Sequence, residues 1–210
     1  MLKQVEIQIA PDDLEFLKSN QYLLCFARLI QGNNANIVWQ CFSDYLQNNP
    51  FSWLPQYEVF GTSSFIVGGV ATIDTAAVTI APGQQTTLNE DAVFRSPVPS
   101  VPPESIRVNN SYRQQIYLGL GATSIGPDGV QRTTPVYVTP TPFPMNWSYT
   151  MTPTDIVQVW FQQDIVTSTI IGPDIPDSMQ INLAATRNFG KLRYQAGKWS
   201  EQGGDWSNTL

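Results

Sequence analysis

Residues 139–153 combine the side chains best suited to binding a ligand. Prolines alternate there with large apolar and aromatic side chains, namely Phe143, Met145, Trp147, Tyr149 and Met151. Aromatic rings stack on sugar faces and enter the interface of a bilayer, and neighbouring prolines hold them out at little entropic cost. The candidate ligand-binding residues are therefore Phe143, Asn146, Trp147 and Tyr149. The alternative is that alternate members of this run plug one end of the folded core.

One stretch of this segment resembles a known family. Residues 142–147, Pro-Phe-Pro-Met-Asn-Trp, are similar to the Pro-Phe-x-x-Asn-Trp run of the actinoporins and related β-sandwich cytolysins. In that family a nearby aromatic cluster binds phosphocholine headgroups, so the resemblance implies a headgroup-binding module of a toxin-like system. It covers six of the 210 residues. The long amphipathic N-terminal helix of the family has no counterpart here, so the resemblance does not extend to pore formation.

Cys25 and Cys41, the only cysteines of the chain, lie on two apolar segments that predict a hairpin. Residues 22–30 and 36–42 flank the turn sequence Gln-Gly-Asn-Asn-Ala. A turn centred on Asn33 places Cys25 opposite Cys41, within one apolar face. The pair is predicted to be either a cross-strand disulfide or two buried free thiols. Two cysteines without histidine cannot complete a zinc cage, so we expect no metal site.

Histidine is absent from the sequence. Its absence excludes Ser–His and Cys–His nucleophile activation and every histidine-ligated metal centre. Gly119-Leu120-Gly121 is the nearest approach to a dinucleotide-binding glycine pattern, and no helix pattern follows it. A glycosidase-type pair of carboxylates distant in sequence stays open, since only their separation in space identifies it. We therefore expect a non-catalytic protein without a cofactor.

The charge of the chain is low and acidic. Eleven basic and 17 acidic residues give a net charge of −6, and charged residues make up 13% of the chain, about half of the ~25% that is typical of soluble domains. The basic residues are scattered, which disfavours nucleic acid as a partner. Little charge also means little repulsion between copies. We expect a homo-oligomer or assembly subunit, with binding of a glycan or membrane headgroup as the alternative function.

Period-two alternation recurs along the chain and predicts an all-β fold. It begins with Val5, Ile7 and Ile9, and a short helix is predicted next, over residues 10–18. Turn sequences then separate further strands, including one at 65–73, and residues 121–132 are predicted to be an exposed loop or a tight hairpin. We expect an antiparallel β-sandwich of jelly-roll or Greek-key type with this one short N-terminal helix.

The chain is predicted to be a single domain, residues 1–210. The segment 96–103 contains four prolines and is expected to be a crossover within that domain. The alternative is two small β domains divided at 96–103. Residues 201–210 have no periodicity and are expected to be a mobile tail. Neither a signal peptide nor a transmembrane stretch is recognisable, which predicts a cytoplasmic protein or one exported without a classical signal.

Overall fold

The structure, a computed structural model, describes residues 1–100, 102–183 and 187–202. These residues are mostly β, with one short helix. The elements in chain order are β1 Lys3–Ile9, α1 Pro11–Ser19, β2 Leu23–Ile30, β3 Gln40–Phe42, β4 Asn48–Thr62, β5 Val78–Ile80, β6 Gln84–Leu88, β7 Val98–Pro99, β8 Ile106–Asn110, β9 Tyr117–Ile125, β10 Gln131–Val138, β11 Ser148–Met151, β12 Pro153–Gln162, β13 Met179–Asn182, β14 Phe189–Gln195 and β15 Lys198–Glu201.

The strands form three sheets. The largest has the order β10-β9-β4-β1-β14-β15, with β5 also paired to β4, and the two smaller sheets have the orders β11-β8-β6-β7 and β13-β12-β2-β3. Most neighbours are antiparallel, but β1 pairs with β14, and β6 with β8, in parallel. The mostly antiparallel pairing agrees with the prediction, and these two parallel pairs depart from it. Parallel neighbours require a long crossover, and nearly the whole chain lies between β1 and β14.

One apolar core connects all three sheets. It takes Val5 and Ile7 from β1, Phe26 from β2, and Leu88 and Val108 from the sheet that contains β6 and β8. Burial along β1 alternates, as its sequence predicts. Strands β2 and β4 belong to different sheets, yet an aromatic pair joins their faces: the rings of Phe26 and Phe51 stack with centroids 4.0 Å apart.

The helix prediction is confirmed. Helix α1 starts with Pro11. Proline has no backbone N–H, so it leaves no unpaired donor in the first turn, where Asp12 and Asp13 also lie. Carboxylates are stabilised there by the positive end of the helix dipole. The side chain of Leu17 is buried in the main core, so α1 covers the core with a narrow apolar face.

The predicted strand at 65–73 is wrong. Residues 65–73 form a loop. Their only β pairing among the described residues is an isolated bridge between Val70 and Thr169. Gly68 interrupts the run with φ of +87°, a conformation that favours glycine and ends an extended strand. At 121–132 the tight-hairpin alternative is found, because β9 continues to Ile125 and pairs with β10, which begins at Gln131. The hairpin turn between them is short.

The Pro-rich segment 96–103 contains a two-residue strand, β7, that pairs with β6 through Val98 and Pro99. Val101 of this segment lies outside the described residues, as do residues 203–210 of the predicted tail. Glu201, which the prediction assigned to the tail, ends β15 opposite Leu192. Within the described part of the chain, no helix has the length and apolar character needed to cross a membrane.

Candidate functional site

Several loops leave the same end of the largest sheet. Strand β4 ends at Thr62 opposite Tyr117, where β9 begins, and β10 ends at Val138 opposite Gly119. The connections 63–77, 111–116 and 139–147 therefore extend from one end of the molecule. Apart from Asp74 and Arg113, these connections have no charged residue. In a protein with 28 acidic and basic residues, this is an unusually neutral surface.

The most exposed apolar part of this end is residues 63–74, which we call the apolar loop. Four aliphatic side chains are between 51% and 65% exposed: Ile66, Val67, Val70 and Ile73. Ala71 is buried, and Phe65 stacks on Tyr117 with ring centroids 6.3 Å apart. Phe65 and Ala71 thus anchor the loop to the rest of the fold, while most of its aliphatic side chains face solvent.

Asp74 closes the base of the apolar loop. Its Oδ2 accepts hydrogen bonds from the backbone N–H and the hydroxyl of Ser63, both at 2.6 Å. These two hydrogen bonds lower the pKa of Asp74 below its ordinary value, because they favour the ionised carboxylate. The backbone N–H of Asp74 also donates to Gly61 O at 2.9 Å. Both ends of the loop are therefore held together.

Backbone hydrogen bonds fix the tip of the loop to residues 168–170. The N–H of Gly68 donates to Ile170 O and the N–H of Ile170 donates to Gly69 O, both at 2.8 Å, and the N–H of Ala71 donates to Ser168 O at 2.9 Å. Polar backbone groups are thereby satisfied without side chains. The exposed conformation of the apolar loop is consequently held by the fold.

The predicted ligand-binding residues differ in their exposure to solvent. Phe143 is buried in the main core and meets Tyr149 edge-on, with ring centroids 6.4 Å apart. Trp147 is 65% exposed, and Asn146 occupies a turn with φ of +62°. Phe143 and Met151 of this segment therefore fill the core, while Trp147 faces outward.

Asn110 positions this turn, and sequence reasoning missed it. Its backbone accepts from Asn146 N–H at 2.7 Å and donates to Trp147 O at 2.9 Å. Its side-chain amide donates to Phe143 O, also at 2.9 Å. Asn110 is buried at the end of β8. Such a contact between distant segments leaves no signal in local spacing.

A cleft lies between the apolar loop and the Pro-rich aromatic segment, residues 139–153. It has a volume of about 250 Å³, and its lining includes Asn33, Phe65, Val67, Tyr137 and Pro140. The Tyr137 hydroxyl lies 2.9 Å from the Tyr149 hydroxyl and 3.3 Å from Asn33 Oδ1. Burial raises the pKa of Tyr137 well above its ordinary value, so the phenol stays neutral. The cleft combines apolar surface with amide groups, as ligand pockets do.

Cys25 and Cys41 lie directly opposite each other on β2 and β3. Both are free thiols; Cys25 is buried and Cys41 is half-buried. Burial is the largest cause that raises the pKa of each thiol. The predicted apolar face is divided in the structure: Cys25 and Ala27 pack in a second cluster with Trp160, while Trp39 belongs to the main core.

No group of three or more His, Cys, Asp or Glu side chains suited to a metal ion occurs among the described residues. Comparison with known proteins found no family model that matches the chain, and no curated protein or solved structure matched it significantly.

Proposed function

We propose that this protein is a non-catalytic assembly subunit that self-associates through the apolar loop. The observation that supports the proposal is the exposure of Ile66, Val67, Val70 and Ile73 on one loop. A large contiguous apolar patch is rare on the surface of a soluble monomer and usually marks an interaction site. A second copy of the chain is the proposed partner.

The neutrality of this surface favours an apolar partner of the same kind. Residues 59–73, which lie between Glu58 and Asp74, include no charged side chain. Two copies that meet through residues 59–73 bring no charged side chain of that segment into contact, although each chain carries a net charge of −6. The carboxylates of Asp164 and Asp174 line a neighbouring cleft of about 450 Å³ that also includes Val67. These acidic groups disfavour a nucleic acid or an anionic membrane at the same place.

The expected association is weak. Complete burial of an aliphatic side chain contributes about 1.5–3 kcal/mol, and these four side chains are already about half buried. Their remaining contribution is roughly 4 kcal/mol per copy, or roughly 8 kcal/mol for a symmetric pair of loops. Association costs about 4–15 kcal/mol in lost freedom. Self-association should therefore depend on protein concentration.

Sedimentation velocity over a range of protein concentrations tests the proposal. We expect the average mass to rise with concentration, and Val67→Asp to suppress that rise by placing a charge in the contact. Val130→Asp is the matched control, because Val130 is a similarly exposed valine on the hairpin between β9 and β10. A strictly monomeric wild-type protein at high concentration, or equal effects of both substitutions, would overturn the proposal.

We also infer that the fold is a single β-sandwich domain of jelly-roll or Greek-key type. The stack of Phe26 on Phe51 supports face-to-face packing of two sheets. The parallel pairing of β6 with β8 crosses the Pro-rich segment 96–103. The main core likewise takes Leu88 from one side of that segment and Ile106 from the other. These contacts favour a crossover within one domain.

A second candidate function is recognition of a glycan or a lipid headgroup, such as a toxin-like module uses. The exposure of Trp147 favours it, with Tyr149 and the neighbouring cleft as further contacts. Tryptophan fluorescence with a glycan panel and zwitterionic liposomes tests it. We expect a shift that is lost in Trp147→Ala and kept in Val130→Asp. An unchanged spectrum with every ligand, or an unchanged response in Trp147→Ala, counts against this site.

A further inference from the structure

The two cysteines have the geometry of a pair that can be oxidised. Cys25 and Cys41 are register partners in an antiparallel ladder, so their side chains point to the same face. The N–H of Cys41 donates to Thr167 Oγ1 at 3.1 Å, not to β2. Cys25 and Cys41 therefore form a non-hydrogen-bonded pair of the ladder, and the Cα atoms of such a pair are about 4.5 Å apart. Disulfides span about 4.4–6.8 Å between Cα atoms.

Access to the two sulfur atoms differs. Cys25 is completely buried, among apolar side chains that include Val38 and Trp160. Cys41 lines a cleft of about 330 Å³, together with Ser43, Arg132 and Thr167. A small reagent in this cleft reaches Cys41 first, whereas Cys25 is shielded from solvent but adjacent to Cys41.

We propose that Cys25 and Cys41 form a redox-sensitive pair, with Cys41 as the attacking thiol, Cys25 as the resolving thiol and a small-molecule disulfide as the oxidant. The Cys41 thiolate attacks one sulfur of the small disulfide, whose S–S bond breaks and releases one thiolate. The Cys25 thiolate then attacks the Cys41 sulfur and releases the second. The protein loses two protons and two electrons, and the small disulfide is reduced to two thiols. The inference is independent of the proposed contact surface.

The rate of this exchange should increase with pH. The thiolate is the nucleophile, and burial raises the pKa of both thiols. Below the pKa of Cys41, each pH unit should therefore increase the rate about tenfold. The Cys41 sulfur also lies 3.6 Å from Thr167 Oγ1 and 3.8 Å from Ile165 O. It must leave these contacts as it turns toward Cys25.

Closing the loop between the two strands should stabilise the protein. A disulfide across a loop of about 15 residues restricts the unfolded chain enough to raise the melting temperature of a protein of this size by roughly 5–10 °C. A purely adventitious oxidation at an exposed thiol would not produce this rise, because a mixed disulfide closes no loop.

The experiment treats the full chain with excess oxidised glutathione at alkaline pH, followed by alkylation and peptide mass mapping. We expect a crosslinked peptide pair containing Cys25 and Cys41, with loss of two hydrogen atoms, and the higher melting temperature. Cys25→Ser should instead accumulate a glutathione adduct on Cys41, and Cys41→Ser should remain unmodified. Near-UV circular dichroism establishes that each variant is folded.

Three results would overturn the inference. In the first, the native wild-type protein keeps two alkylatable thiols. In the second, it ends as a stable mixed disulfide on Cys41. In the third, folded Cys41→Ser is modified at Cys25 as fast as the wild type is modified at Cys41. If a variant does not fold, the mapping and melting of the wild-type protein decide the question alone.

Discussion

Asp155 is the counter-charge of the buried guanidinium of Arg28. Nη2 of Arg28 lies 3.3 Å from Asp155 Oδ1 and donates to the Tyr57 hydroxyl at 2.7 Å. The same carboxylate oxygen accepts from Trp53 Nε1 at 3.3 Å, and Lys3 Nζ lies 3.6 Å from the other oxygen. Arg28 is 1% exposed. One carboxylate thus pairs with cations from two sheets.

Asp155→Asn should destabilise the fold by about 2–3 kcal/mol in urea unfolding. Removing one partner of a buried pair usually costs about 3–5 kcal/mol, since it leaves a buried charge unpaired. We expect less here because the Asp155 side chain is 31% exposed and water screens the pair. Asp128→Asn is the control: it breaks the pair with Arg132, whose side chain is 37% exposed, and should cost under about 1 kcal/mol. Equal losses would contradict this role of Asp155.

Phe143→Ala and Trp147→Ala should affect stability very differently. Phe143 is buried in the main core and Trp147 is exposed. Truncation of Phe143 should cost about 3–4 kcal/mol through lost burial and a cavity. Truncation of Trp147 should change the stability by less than about 0.5 kcal/mol. Chemical denaturation of both variants measures the difference. A large loss in Trp147→Ala would show that its ring supports the fold.

Gly119→Ala should destabilise the protein while Gly121→Ala should not. A Cβ at Gly119 would overlap the ring of Phe60, whereas the nearest atom to a Cβ at Gly121 is Thr134 O at 3.5 Å, an ordinary contact. Overpacking of this kind costs about 1–3 kcal/mol. Thermal unfolding of the two variants provides the comparison. Similar melting temperatures would indicate that Phe60 can move aside.

Asp74→Asn should loosen the apolar loop at neutral pH but not at strongly acidic pH. The folded pKa of Asp74 is depressed below 3.8, so its contribution to loop stability is complete above that value and is lost as the pH falls through the folded pKa. The ratio of amide exchange rates, variant over wild type, should exceed one in residues 63–74 near pH 6. The ratio should fall toward one as the pH is lowered through the folded pKa, and a constant ratio would exclude this role of the carboxylate.

Local patterns predicted those features that depend on short-range geometry. Alternation along Val5, Ile7 and Ile9 identified β1, because side chains alternate along a strand. The predicted pairing of Cys25 with Cys41 is found, but β3 covers only Gln40–Phe42 of the predicted strand 36–42, and Ile37 instead pairs with Ile170. Pro11 and the acidic first turn identified α1 for an equally local reason.

The candidate site was less predictable. Residues 65–73 are as apolar as a core strand, and the sequence alone does not show that Val67 and Val70 face outward. Gly68 and Gly69 were the available signal, because paired glycines interrupt an extended run. Likewise, spacing along residues 142–151 shows alternation but does not show which side chains are inside.

The sequence by itself determined the β character of the chain, its one short helix and the facing cysteines. Only the tertiary structure decided that Phe26 rather than Cys25 faces the main core, that β1 and β14 pair in parallel, and that Phe143 is buried while Trp147 is exposed. The reason is physical. Strand periodicity specifies which side chains share a face, whereas burial depends on what distant segments pack against that face.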